Sequence, residues 1–361
     1  MKMARFRCAV LGATGVAGQQ FLVALDRHPD FEVTRLAASE RSAGKRYDAA
    51  IREAGHSKWY CKEPLPAAFA GLTVEDAAHL TADGIDIVFA AVESDAARVL
   101  EARFAEKVPV FSTASAFRYE TDVPILIPGV NPEHAALIDV QKKRRGWKGF
   151  IAPGPNCTTT GLAITLKPLA DAFGIDKVMM TSMQATSGAG RTPGVSAMDI
   201  VDNVIPYIAK EEEKVERETK KILGRTIGDG IEDAKVAVSC TCTRVPVLDG
   251  HTEAVFVALH KKATVEEAKR VMRDWNPLEG QKLFSAPERL IHVEDDPYRP
   301  QPRLDRDAGG GMTTVVGRLR EETTLGPWGV KYVLVSHNTR MGAAKGMVLV
   351  AETLLASGRL G

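Results

Sequence analysis

Phe6-Arg7-Cys8-Ala9-Val10-Leu11 is a short, almost unbroken apolar run, the pattern of a strand buried on both faces. It stops at Gly12-Ala13-Thr14-Gly15-Val16-Ala17-Gly18, and apolar residues then recur at helical spacing to about residue 25. A second strand is predicted over 31–38. Strands over 85–91 and 108–112 bracket a helix over 95–106. Strand, loop, helix, strand in this order opens a doubly wound parallel sheet with right-handed crossovers.

The pattern changes near residue 150. Lys142-Lys143-Arg144-Arg145-Gly146 is basic and reads as an exposed linker. Beyond it, longer runs at 177–185, 235–243, 252–259 and 312–320 predict strands of an antiparallel sheet. The run 210–221 alternates acids and bases and reads as an exposed, solvated helix. A Gly- and Ala-rich segment with apolar periodicity predicts a helix over 339–357. Neither internal repeats nor low-complexity tracts interrupt the chain.

Composition narrows the class. With 361 residues, two domains are expected rather than one. A formal net charge of +1 gives no electrostatic reason to expect nucleic acid or an anionic membrane. The apolar run after the basic start breaks at Gly12, too early for a signal-peptide core, and no stretch approaches transmembrane length. Five cysteines, odd in number and irregular in spacing, do not form a disulfide framework and suit a reducing cytoplasm. Cys240-Thr241-Cys242 lacks a second ligand pair, so no metal site is expected.

The glycines Gly12, Gly15 and Gly18 follow the first strand with G-x-x-G-x-x-G spacing, not the usual G-x-G-x-x-G. A glycine turn before a helix leaves free N–H groups for a phosphate, so Gly12, Thr14, Gly15 and Val16 are candidate dinucleotide contacts. At the end of the second strand, Ser39, Arg41 and Ser42, with Lys45 nearby, suit a ribose 2′-phosphate and favour NADP (NADPH). Glu40 leaves NAD open, and a plain solvated turn would have the same composition.

Cys157, in Pro155-Asn156-Cys157-Thr158-Thr159, lies at the mouth of an apolar helix. There the first-turn N–H groups and the helix dipole are expected to favour a thiolate. Cys8, Cys240 and Cys242 lie in strand-like runs and, with Cys61, read as structural thiols. His251, in Asp249-Gly250-His251-Thr252-Glu253, is a candidate general acid/base, since its free pKa lies near neutrality. Arg244 ends a strand seven residues earlier and could fork onto a carboxylate. Gln184, before the turn Ser187-Gly188-Ala189-Gly190, could orient a thioester or a nicotinamide, or merely cap a turn. A thiol, a base and a nucleotide loop together imply redox chemistry on an aldehyde or acyl group.

These motifs, with Arg299-Pro300-Gln301-Pro302-Arg303-Leu304-Asp305-Arg306 and Asn338-Thr339-Arg340-Met341-Gly342-Ala343-Ala344, resemble the aspartate-β-semialdehyde dehydrogenase family in its archaeal and fungal-like branch. The resemblance runs over almost the whole chain. It implies an α/β fold of glyceraldehyde-phosphate-dehydrogenase type. A Rossmann-type NADP-binding domain would comprise 1–150 plus 338–361, and an α+β catalytic and dimerisation domain 151–337. It implies Cys157 as nucleophile, His251 as proton shuttle, Gln184 as positioner of the acyl-enzyme, and Asn156 with the Cys157 N–H at the oxyanion. Arg244 would hold the substrate α-carboxylate, Arg118 and Lys214 the phosphate, and Glu211 the amino group. Ser187, Gly188 and Asn338 match cofactor positions.

The implied reaction is NADPH-dependent reduction of L-aspartyl-4-phosphate to the semialdehyde, toward lysine, methionine and threonine, by a cytoplasmic homodimer or homotetramer. Gly154 and Ala116 stand where the family commonly has asparagine. These departures keep a malonyl-CoA or succinyl-CoA reductase as the alternative.

Overall fold

The computed structural model describes residues 5–190 and 194–360. A six-stranded parallel sheet is assembled from Val74–Asp76, Phe31–Ala38, Phe6–Leu11, Ile87–Ala90, Val110–Ser112 and Ile151–Pro153, in that spatial order. Cys8–Leu11 of the first strand and Ile87–Ala90 are buried on both faces, which accounts for their unbroken apolar sequence, while Arg7 is exposed. The helices Val16–Leu25 and Ser94–Ala105 cover opposite faces, each over its own apolar cluster. Beside Val16–Leu25 lies the helix Ala344–Ala356, which buries Ala344, Met347, Val348, Ala351 and Leu354 among Phe21, Leu22 and Phe111. The end of the chain thus returns to the first sheet.

The second sheet runs Ala237–Arg244, Ile175–Gln184, His251–Leu259, Gly329–Ser336, Thr314–Glu321 and Ile291–Val293. It is mixed rather than antiparallel: Ala237–Arg244 pairs parallel with Ile175–Gln184, and Ile291–Val293 parallel with Thr314–Glu321. Both pairs arise because a helix-containing crossover intervenes, and crossovers return the chain in the same direction. One face is packed under the helices Cys157–Phe173, Glu211–Ile222 and Val265–Asp274. The other face is largely bare, with Met179, Thr181, Ser239 and Thr241 exposed.

Glu211–Ile222 corrects the expectation of a solvated helix. Its Glu211, Val215, Glu218 and Lys221 are buried, a stripe at helical spacing that brings acids inward with the apolar residues. The Lys221 ammonium donates to the carbonyls of Arg118, Glu120 and Val123 at 2.8–2.9 Å. The helix is therefore stapled to the loop that carries Arg118. The closing helix starts at Ala344, later than the apolar period suggested, because residues 338–343 are irregular and turn toward Cys157. The basic stretch 142–146 ends the helix Leu137–Arg145, where Arg145 forks onto Asp122 at 2.6 Å.

Candidate active site

A cleft of about 720 Å³ opens where the carboxyl ends of the first sheet meet the start of the helix Cys157–Phe173. Val16, Ser94, Arg118, Asn156, Cys157, Ser187, Gly188, Glu211, Lys214, Arg244 and Asn338 all line it. Residues far apart in sequence are thus gathered on one concave surface, while Gln184 and His251 lie buried behind its wall.

The nucleotide end is built by close packing. Gly12 has φ +75°, and a side chain there would run into the Ala91 carbonyl; one on Gly18 would run into the Gly12 carbonyl. No side chain caps Val16–Leu25, so its first N–H groups stay free toward the cleft. Beside Thr14 lies a second hollow of about 230 Å³, lined by Arg41, Ser42, Lys45, Arg52, Glu53 and Lys58. It is predominantly cationic, which suits a phosphate. Ser39 precedes the turn Glu40–Ser42 and does not line that hollow.

At the thiol end, the local sequence explains the placement. The Asn156 side chain accepts the N–H groups of Thr158 at 2.9 Å and Thr159 at 3.3 Å, capping the helix one residue before the thiol. Its amide nitrogen donates to Glu211 at 2.9 Å, and its backbone N–H to Glu218 at 2.6 Å. The Asn156 oxygen and one of its two amide hydrogens are therefore engaged by the scaffold, while the residue lines the cleft. The Gln184 amide nitrogen donates to Ser182 at 3.2 Å and Glu211 at 3.1 Å.

The Cys157 Sγ lies 3.1 Å from the His251 Nε2. The ring's Nδ1 accepts the backbone N–H of Ala185 at 3.0 Å, so the neutral ring carries its proton on Nε2 and directs it at sulfur. Burial, aided by Arg244 and His337, pushes the His251 pKa down to about 3. Burial, aided by Glu211, pushes the Cys157 thiol up to about 12, with Arg118 and Arg244 pulling the other way. The resting pair is a neutral thiol beside a neutral imidazole. The expectation of a dipole-stabilised thiolate is not met in the free cleft: burial outweighs the helix terminus.

Arg244 is held by Ala185, whose carbonyl accepts from Nη1 at 2.7 Å, and by backbone pairing with Ile205. Among the described residues, no carboxylate lies within ion-pair distance of it. The turn before His251 is packed too: Gly250 has φ +91°, an added Cβ would meet Arg306, and its N–H donates to Asn338 at 2.9 Å. This gives the 299–306 motif a role as support, with Asp305 paired to Arg299.

The match to known proteins follows this geometry. The family model described as "Semialdehyde dehydrogenase, NAD binding domain" matches residues 7–138. The model described as "Semialdehyde dehydrogenase, dimerisation domain" matches residues 166–341. The chain belongs to the semialdehyde dehydrogenase family. An aspartate-semialdehyde dehydrogenase of Archaeoglobus fulgidus is 49% identical over 97% of this chain and 98% of its own. One from Candida albicans is 43% identical over 97% and 98%. The solved Candida albicans aspartate semialdehyde dehydrogenase with NADP superposes with a TM-score of 0.86, at 41% identity, over 98% of this chain and 99% of that one. The archaeal and fungal resemblance read from the motifs is thereby borne out, as is the two-sheet fold.

Within this semialdehyde dehydrogenase, the departure at Gly154 has a steric reason. A side chain there would press on the Met347 sulfur of the closing helix. Ala116 is buried, and Arg98 donates to its carbonyl. Sequence reading missed Glu218, because an acid in a charge-rich run gives no sign of facing inward. It also missed the segment containing Ile205, Tyr207 and Ile208, which forms a wall of the cleft.

Proposed function

We propose that this protein is an aspartate-semialdehyde dehydrogenase, reducing L-aspartyl-4-phosphate to L-aspartate-4-semialdehyde with NADPH and releasing phosphate. The observation that carries the reading is the 3.1 Å contact between Cys157 and His251 on a cleft that also gathers Arg244, Arg118 and Lys214. Near-full-length likeness to proteins of that name supports it. The cofactor fits the residues present. Gly12, Thr14, Gly15 and Val16 offer a close backbone cradle, Arg41, Ser42 and Lys45 a cationic hollow, and Ser187, Gly188 and Asn338 the facing wall. When bound, the dinucleotide supplies hydride to a carbonyl carbon held on sulfur.

The chain's own residues do the remainder. Cys157 Sγ attacks the acyl carbon as its proton passes to the departing phosphate, the carbon–oxygen bond to phosphate breaks, and a thioester and hydrogen phosphate form. Arg118 and Lys214 receive the departing phosphate, while Arg244 forks onto the α-carboxylate and Glu211 meets the ammonium. His251 presents Nε2–H to whichever neighbouring atom bears negative charge, first sulfur and then the reduced oxygen. Glu211 holds Asn156 and Gln184 from behind, so these two act by positioning the thiol turn. After reduction, the carbon–sulfur bond breaks and the aldehyde leaves.

The test uses purified protein with the semialdehyde, phosphate and NADP, following formation of reduced nicotinamide. Turnover that requires phosphate is expected, and Cys157→Ala is expected to lower it by orders of magnitude. Turnover independent of phosphate would overturn the reading. Direct competition with malonyl-CoA and succinyl-CoA separates the acyl-CoA alternative, which the comparisons do not favour.

We further propose a cytoplasmic homodimer formed through the bare face of the second sheet, with 1–150 plus 338–361 and 151–337 as its two domains. Met179, Met198, Val201 and Tyr207 are 48%, 91%, 67% and 65% exposed, an apolar surface unusual for a free subunit. No helix among the described residues is long and apolar enough to cross a membrane.

A further inference from the structure

Glu218 lies seven residues after Glu211 on the helix Glu211–Ile222 and is fully buried. Its Oε1 accepts from the Arg118 guanidinium at 3.0 Å and the Tyr119 hydroxyl at 3.2 Å. Its Oε2 accepts the Asn156 N–H at 2.6 Å. Arg118 also donates to the Thr113 carbonyl at 2.8 Å, and its Nε is buried with no hydrogen-bond partner. Lys214 and Glu211 repeat the theme more loosely, at 3.8 Å. Among the described residues, Arg118 and Lys214 on the cleft thus carry a resident carboxylate, and Arg244 carries none.

We infer that Glu218 is a built-in counter-anion that limits how tightly the cleft holds phosphate, while tying Arg118 to the thiol-bearing turn. A phosphate arriving at Arg118 must share the guanidinium with a carboxylate already 3.0 Å away. That carboxylate cannot retreat, because its second oxygen is committed to Asn156 and the surroundings are closed to water. Repulsion between like charges is strong at such depth. An unopposed arginine would hold bound and departing phosphate alike, and such uniform binding does not speed turnover. Glu218 contacts no reacting atom; it acts through Arg118 and Asn156 as a positioning residue. The inference rests on the reading above, in which Arg118 meets phosphate.

Glu218→Gln tests it: the glutamine oxygen can still accept the Asn156 N–H while the amide NH2 turns to Arg118, so the guanidinium loses its resident anion and that acceptor together. In semialdehyde oxidation, the KM for phosphate is expected to fall about tenfold. The KM values for semialdehyde and NADP should stay within about twofold. A phosphate KM that is unchanged or raised would overturn the inference, and a general loss of scaffold would raise all three. Tyr119→Phe provides the opposite arm on a half-exposed residue. Removing the competing hydroxyl concentrates Oε1 on Arg118, so the phosphate KM should rise about twofold; a fall or no change would count against the role. If wild-type turnover needs no phosphate, the proposed function fails. If it does need phosphate and both variants leave its KM unmoved, only the assignment of Glu218 fails.

Discussion

The nucleophile's surroundings matter more than its position at a helix terminus. Sulfur at Cys157 has an imidazole proton and the Thr158 N–H to help it, yet enclosure in the cleft wall dominates and keeps it protonated. Alkylation of the free protein by iodoacetamide should therefore be slow at neutral pH and should keep rising with pH to beyond 9, with Cys157→Ser as the blank. A rate already level at pH 7 would show that the thiolate forms without ligand. Glu253, two residues after His251 on the same strand face, illustrates the same physics without chemistry. It is fully buried, neither oxygen has a hydrogen-bond partner, and burial holds its pKa well above the usual carboxylate range. The folded protein keeps that proton at a pH where the unfolded chain has released it, so stability contributed here declines as pH rises past about 4.5. Glu253→Gln should consequently raise the thermal midpoint at pH 8 and change it little at pH 4.

At the scale of elements, the site is an assembly of termini: a strand-to-helix turn, a helix start and two strand ends. Asn156 joins them, since one amide caps the helix Cys157–Phe173 and also reaches Glu211. Asn156→Ala should lower stability by about 1 kcal/mol, the usual loss for a cap, and depress kcat more than KM. Thermal melts and steady-state rates on one preparation check both. Much of this level was legible beforehand. The glycine turn, the Pro-Asn-Cys-Thr turn and the period-two strands carry local signals that survive folding. The inward acids at 211 and 218 did not, because the i, i+7 recurrence that buries them is the same one that decorates a solvated face. The parallel pairing of Ala237–Arg244 with Ile175–Gln184 was equally hidden, since pairing direction depends on the path between strands rather than on their composition. The sequence leaves Gln184 open between orienting a ligand and capping a turn, and that its amide nitrogen meets Glu211 is visible only in three dimensions.

For the whole molecule, the exposed apolar surface and the cleft share a segment. Ile205 and Tyr207 line the cleft, while Met198 and Val201 on the same arm stand in solvent. A Met198→Asp, Val201→Asp double variant should run as a monomer by light scattering and lose activity in step with dimer, since the arm that pairs with Arg244 then lacks the partner's support. A monomer with full activity would show that the arm stands unaided.

Gly342 sits where an added Cβ would lie 3.1 Å from the Cβ of Cys157, immediately before the helix that packs on Phe21 and Phe111. During synthesis, the nucleophile, its histidine and its arginine all emerge before this stretch does. A ribosome-bound chain halted at residue 337 holds every reactive group and lacks the piece that shapes the space around them. The space around the thiol is closed only when this stretch is in place, since Gly342 and Ala343 line the cleft beside Cys157.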